Sequence, residues 1–96
     1  MTEPNKVTLN MTDANISEEL CKQLTSQYGS VLGSKALIKE LGYPSSASFQ
    51  QALSRGTVPV PIFNIEHRRG SFALARDVAD WLSLQRAKAI SRKGSN

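Results

Sequence analysis

Apolar residues recur with a helical period in the first third of the chain and with an alternating one near its middle. Ile16, Leu20 and Leu24 fall four residues apart, which lines one narrow face of a helix. Asn15 followed by Glu18 has the spacing of a capping box, so a helix is predicted over residues 15–29. Gly29 and Gly33 bracket Ser30, Val31 and Leu32, a short strand or extended link. Ser34 is suited to cap a second helix, Lys35 to Leu41, whose inner positions are Leu37, Ile38 and Leu41. Gly42 stops it and Pro44 prevents resumption. A third helix begins among Ser45, Ser46 and Ser48 and runs to Arg55, with Phe49, Ala52 and Leu53 facing inward. Ser48 with Gln51 again fits a capping box. Gly56 ends this helix, and Pro59 and Pro61 enforce an extended path.

Between Ile62 and Leu74 the pattern becomes alternation. Phe63 and Ile65 interleave with Asn64 and Glu66, and Phe72 and Leu74 with Ser71 and Ala73. His67-Arg68-Arg69-Gly70 between them is turn chemistry, the glycine supplying a positive φ. These features predict a β-hairpin with a basic tip. A last helix starts near Asp77, with Val78, Trp81, Leu82 and Gln85 on one face. Two short helices joined by a tight turn, then a hairpin, then a helix, is the order of a winged helix-turn-helix. The fold expected is α+β and mostly helical, a winged helix-turn-helix over 30–90 with a two-stranded β-hairpin wing. An extra N-terminal helix precedes it at 15–29, with flexible tails at 1–14 and 91–96.

Composition narrows the function. Ninety-six residues with 40% hydrophobic content suffice for one domain and leave little for a deep pocket with a supporting shell. Five of the six aromatic residues follow residue 42, which puts the expected core in the second half. One His, one Cys and no motif of paired carboxylates supply neither a nucleophile–base pair nor a metal cluster. No enzyme activity, cofactor or metal is expected. Cys21 alone allows no internal disulfide and points to a reducing compartment. No apolar run reaches the roughly 18 residues of a membrane span, and the first residues lack the make-up of a signal peptide. The expected setting is cytoplasmic, without a membrane partner.

Charge is unevenly spread. Residues 1–30 carry two Lys against four Asp and Glu, while residues 31–96 carry ten Lys and Arg against four, for a net +4. A basic domain behind an acidic segment suits a polyanion. In a helix-turn-helix the second helix enters the major groove and its side chains read base edges. Ser46, Ser48, Gln50, Gln51 and Ser54 offer short or amide hydrogen-bonding groups there, with no carboxylate among them. They are the candidate base-reading residues of a protein that binds double-stranded DNA. Ser34, Lys35, Lys39, Arg55, His67, Arg68 and Arg69 are candidates for the DNA backbone and the wing. Solvated helix and hairpin surfaces are the alternative for each. The stripe Ile16, Leu20 and Leu24 must be covered, either by a second copy of the chain, giving a homodimer, or by the domain itself.

The residues Leu41-Gly42, Ser48-Phe49, Leu53-Ser54-Arg55-Gly56-Thr57-Val58-Pro59-Val60-Pro61, then the hairpin, then Arg76-Asp77-Val78-Ala79-Asp80-Trp81-Leu82 resemble the MerR-type excisionase and AlpA helix-turn-helix group. Within it they are most similar to pyocin-activator (PrtN-like) proteins of phage-derived elements. The resemblance covers roughly residues 31–90. It implies that Ser46, Ser48, Gln50 and Gln51 read bases and that Arg68 and Arg69 sit in the wing. It also implies a transcriptional regulator of a phage, plasmid or integrated element, with RNA polymerase as a further partner. An excisionase-like recombination directionality factor, partnered by an integrase, and a protein-binding adaptor are the alternatives. The turn Gly42 to Ser48 runs a residue longer than the group's pattern, and the acidic segment before residue 30 has no counterpart in it.

Overall fold

The computed structural model describes the backbone of residues 13–94 and the side chains of residues 15–91. In chain order the elements are α1 (Asp13–Tyr28), β1 (Val31–Leu32), α2 (Ser34–Leu41), α3 (Ser46–Arg55), β2 (Ala73–Leu74) and α4 (Ala75–Gly94). The domain is mostly helical α+β, and β1 pairs antiparallel with β2, Val31 opposite Leu74 and Leu32 opposite Ala73. Residues 1–12 of the expected N-terminal tail and residues 95–96 of the C-terminal one lie outside the described residues, as do the side chains of Arg92 and Lys93.

Local chemistry sets the middle helices. Gly42 and Gly56 take left-handed conformations, at φ 83° and 69°. This lets Tyr43 N–H reach back to the Ile38 carbonyl at 2.9 Å and Thr57 N–H to that of Ala52 at 2.9 Å, so the last carbonyls of each helix are satisfied. Residue Ser45 caps α3. Its hydroxyl accepts from Ser48 N–H at 3.1 Å, and its own N–H donates to the Ser48 hydroxyl at 3.3 Å. The capping box is therefore Ser45 with Ser48, not Ser48 with Gln51. Starting α3 there turns Phe49 fully inward, where Tyr43 meets it edge to face at 5.4 Å.

Three helix starts differ from the sequence reading. α1 begins at Asp13, so Asn15 lies inside its first turn, and the Glu18 carboxylate accepts from Arg76 at 2.9 Å rather than turning back to cap. Gly33, not Ser34, is the N-cap of α2, and Ser34 is its first residue. α4 starts at Ala75 and continues to Gly94, through the start of the expected tail at residue 91.

The hairpin also differs. Phe63 and Phe72 form one isolated bridge, each N–H donating to the other's carbonyl at 2.9 Å, and close the loop between them. Beyond that bridge the chain turns away, and residues 73–74 pair with β1 instead of continuing opposite residues 61–62. The buried residue of this stretch is Ala73, at 0% exposure, whereas Leu74 is 41% exposed. Of the alternating pair, the register with β1 sends Ala73 rather than the larger Leu74 to the core.

That core unites both halves of the chain: Leu24, Leu32, Leu37, Phe49, Val60, Ala73, Ala75, Val78 and Ala79. The helix α1 makes its most extensive contact with α4. Ala75, Ala79 and Ser83 are buried at i, i+4 and i+8 of α4, and such small residues let a neighbouring helix approach closely. Ser17 is buried and its hydroxyl donates to Asp80, while Arg76 pairs with Glu18 at 2.9 Å and with Asp80 at 3.7 Å. Leu24 is 5% exposed, Leu20 packs against the core and Ile16 is half-buried. Of the stripe proposed either to join two copies or to pack on the domain, Leu20 and Leu24 therefore pack within the chain, where α4 offers a face of small residues.

Candidate nucleic-acid interface

A four-residue turn, Gly42 to Ser45, carries the chain from α2 into α3. With Phe49 and Ala52 buried and Leu53 half-buried, helical geometry sets the opposite face of α3. That face holds Ala47, Gln50, Gln51 and Ser54, at i, i+3, i+4 and i+7, with Ser46 and Arg55 at its edges. All six are exposed. Gln50, Gln51 and Ser54 make no side-chain hydrogen bond among the described residues. Their amide and hydroxyl groups carry both donors and acceptors, which suits them to the edges of bases.

Ser48 departs from the expected set. Its hydroxyl donates to the Ser45 carbonyl at 2.8 Å and accepts from Ser45 N–H, and the residue is half-buried. The cap thus occupies the group that was expected to read a base. Ala47 was not singled out, since it has no hydrogen-bonding side chain. It nonetheless sits at the middle of the exposed face, where a methyl can pack against the methyl of thymine. The spacing of Ala47 to Gln50, Gln51 and Ser54 was the available signal.

Second, the loop closed by Phe63 and Phe72 is braced. Arg68 N–H donates to the Ile65 carbonyl at 2.9 Å, forming a turn whose third residue, His67, stands at φ 65°. A histidine there is uncommon but tolerated. Gly70 has φ 100°. Asn64 Nδ2 donates to the Gly70 carbonyl at 3.0 Å. The Ser34 hydroxyl accepts from Ser71 N–H at 3.3 Å and donates to its carbonyl at 3.4 Å. Ser34, expected among the backbone contacts, thus ties the loop to α2. The bracing role of Asn64 was missed, and its only trace in the sequence is a position facing Gly70 across the turn. His67, Arg68 and Arg69 are exposed on this loop.

Lys35 and Lys39 lie on α2 one turn apart and are exposed. They line a groove with Arg69 of the loop. Neighbouring Glu40 is engaged elsewhere, accepting from the Tyr28 hydroxyl at 2.7 Å. That bond, reinforced by partial burial and by the carboxylate charge, raises the Tyr28 pKa above its ordinary value. The site thus brings Lys35, Lys39 and Arg69 together, while Arg55 stands separately at the end of α3. Among the described residues no helix is long and apolar enough to cross a membrane, and no group of His, Cys, Asp or Glu is placed to hold a metal. Comparison of the chain with protein-family models, with curated proteins and with solved structures returns no match.

Proposed function

We propose that this chain binds double-stranded DNA as a winged helix-turn-helix and regulates transcription of a phage, plasmid or integrated element. In this reading α2 and α3 are the two helices of the motif, and the braced loop 63–72 is the wing. α3 lies in the major groove with Gln50, Gln51 and Ser54 at base edges, while Lys35, Lys39, Arg68 and Arg69 meet phosphates. The observation that carries the reading is the outward face of α3. It is neutral and rich in hydrogen-bonding groups, whereas a helix face kept only for solubility usually carries Glu and Lys. The resemblance to MerR-type excisionases and AlpA proteins supports the regulatory role.

A mobility-shift titration over a series of salt concentrations tests this. Contact with roughly six phosphates gives a slope of about −5 to −6 in log affinity against log salt. Failure to shift any duplex at low salt would remove the reading.

A further inference from the structure

Resting on the DNA-binding reading, we infer that the groove bounded by the end of α1, the first half of α2 and the wing is a preassembled seat for backbone phosphates of the duplex. Ser34 and Asn64 are the positioning residues that hold Arg69 in it beside Lys35 and Lys39.

The groove is open to solvent, with a volume of about 600 Å³, and its walls include Tyr28, Ser34, Lys35, Lys39, Arg69 and Phe72, with no carboxylate among its lining residues. Among the described residues the ion pairs centre on Arg76, and the three groove cations take part in none. Glu40, the acid next to Lys39, is occupied by Tyr28. Like charges one turn apart on a helix weaken it, so Lys35 with Lys39 stands against the stability of α2, and a third cation from the wing adds to the repulsion. An anion seated among them removes that cost. Two adjacent phosphates of one strand are the anions a duplex offers, and they need no particular sequence.

The wing is fixed before any ligand arrives. Residue 69 directly precedes Gly70 and Ser71. The Gly70 carbonyl is held by Asn64 at 3.0 Å, and Ser71 is held through both backbone groups by the Ser34 hydroxyl. Gly70 stands at φ 100°, a conformation that other residues rarely adopt, so glycine suits this turn. The backbone on which Arg69 stands is therefore ordered from the α2 side, and binding need not supply that order. Ser34 acts through Arg69 and is not itself a phosphate contact.

The test uses the full chain, a short random-sequence duplex and five variants. Lys35→Gln, Lys39→Gln and Arg69→Gln combined flatten the salt slope by about 2 to 3, and Arg69→Gln alone by about 1. Ser34→Ala weakens binding about threefold to tenfold, the worth of one or two hydrogen bonds, and lowers the ¹⁵N heteronuclear NOE across residues 66–70. Ser34→Thr restores both readouts. In the Arg69→Gln background, Ser34→Ala brings no further loss, because the residue it positions has gone. If wild type binds but the triple variant keeps its slope, the seat is wrong and the DNA reading stands. If Ser34→Ala costs as much with Arg69→Gln as without it, or leaves the wing NOE unchanged, the positioning role is wrong. If wild type binds no duplex, the DNA reading falls and the seat with it.

Discussion

The seam between α1 and α4 and the outward face of α3 use polar side chains in opposite ways. Along the seam, Ser17 donates to Asp80 and Arg76 holds Glu18 and Asp80. Polar groups there lie across small buried residues and find partners inside the chain. On α3, Gln50, Gln51 and Ser54 are exposed and find none among the described residues. Ser17 is buried and must be paired or it costs stability, while Arg76, Glu18 and Asp80 pair with one another at the exposed edge of the seam. Exposed amides meet no such demand and keep their donors and acceptors for another molecule. Under the proposed function, stability falls to one side of the domain and recognition to the other. Substitutions on the two sides should therefore move different measurements.

The largest effect belongs to the seam. Leu20→Glu with Leu24→Glu puts a carboxylate where Leu24 is 5% exposed. Truncation of such a leucine alone costs about 2–5 kcal/mol, and an unpaired buried charge costs more. Against a total stability on the order of 5–15 kcal/mol, the double variant should unfold, seen as loss of the helical circular dichroism signal. A folded monomer with weakened DNA binding, measured by ultracentrifugation and mobility shift, would instead mean that the stripe joins two copies.

The next effect belongs to the opposite face. Gln51→Ala should leave the melting temperature nearly unchanged, since the residue is exposed and contributes no bond to the fold. It should cost about 1–3 kcal/mol of discrimination at one base pair, the range for a bidentate amide–adenine contact. Binding-site selection that returns the same consensus for wild type and variant would take Gln51 out of the readout. Arg76→Ala reverses this pattern at smaller scale. Its ion pairs are 46–59% exposed and screened by solvent, so it should lower the melting temperature only slightly and leave sequence preference alone.

The sequence disclosed this division unevenly. The stops at Gly42 and Gly56 were legible because a left-handed cap is a demand of one residue on its own backbone. The start of α3 was not, since Ser45, Ser46 and Ser48 cap equally well in isolation. Burying Phe49 selects Ser45. The pairing of β1 with β2 joins residues 31–32 to 73–74, and nothing local to either segment announces it. Ala73 is the buried residue there, yet alanine gives a weaker hydrophobic signal than the Leu74 beside it. On the candidate site, Gln50, Gln51 and Ser54 were legible from chemistry. Ala47 was invisible for want of a polar atom, and Ser48 was named for a hydroxyl that the helix cap uses.

The smallest effect tests where the two sides meet, at the bond from Tyr28 at the end of α1 to Glu40 on α2. The bond requires the phenol to keep its proton, and Glu40 raises the Tyr28 pKa in the folded chain above the ordinary value of 10.0. A group whose folded pKa lies above its unfolded one stabilises the fold fully below the unfolded value. That contribution fades as pH rises through the folded value. Wild type should therefore lose stability between pH 10.0 and the raised pKa, while Tyr28→Phe should lose less over the same window. Because the phenol lies near the surface, the difference should be small. It should be read as a change in the slope of melting temperature against pH, not as a change in fold. Ultraviolet titration supplies the second check. One tyrosine signal should titrate late in wild type and disappear in Tyr28→Phe. A late transition of undiminished size after the substitution would mean that the bond to Glu40 does not hold the phenol proton.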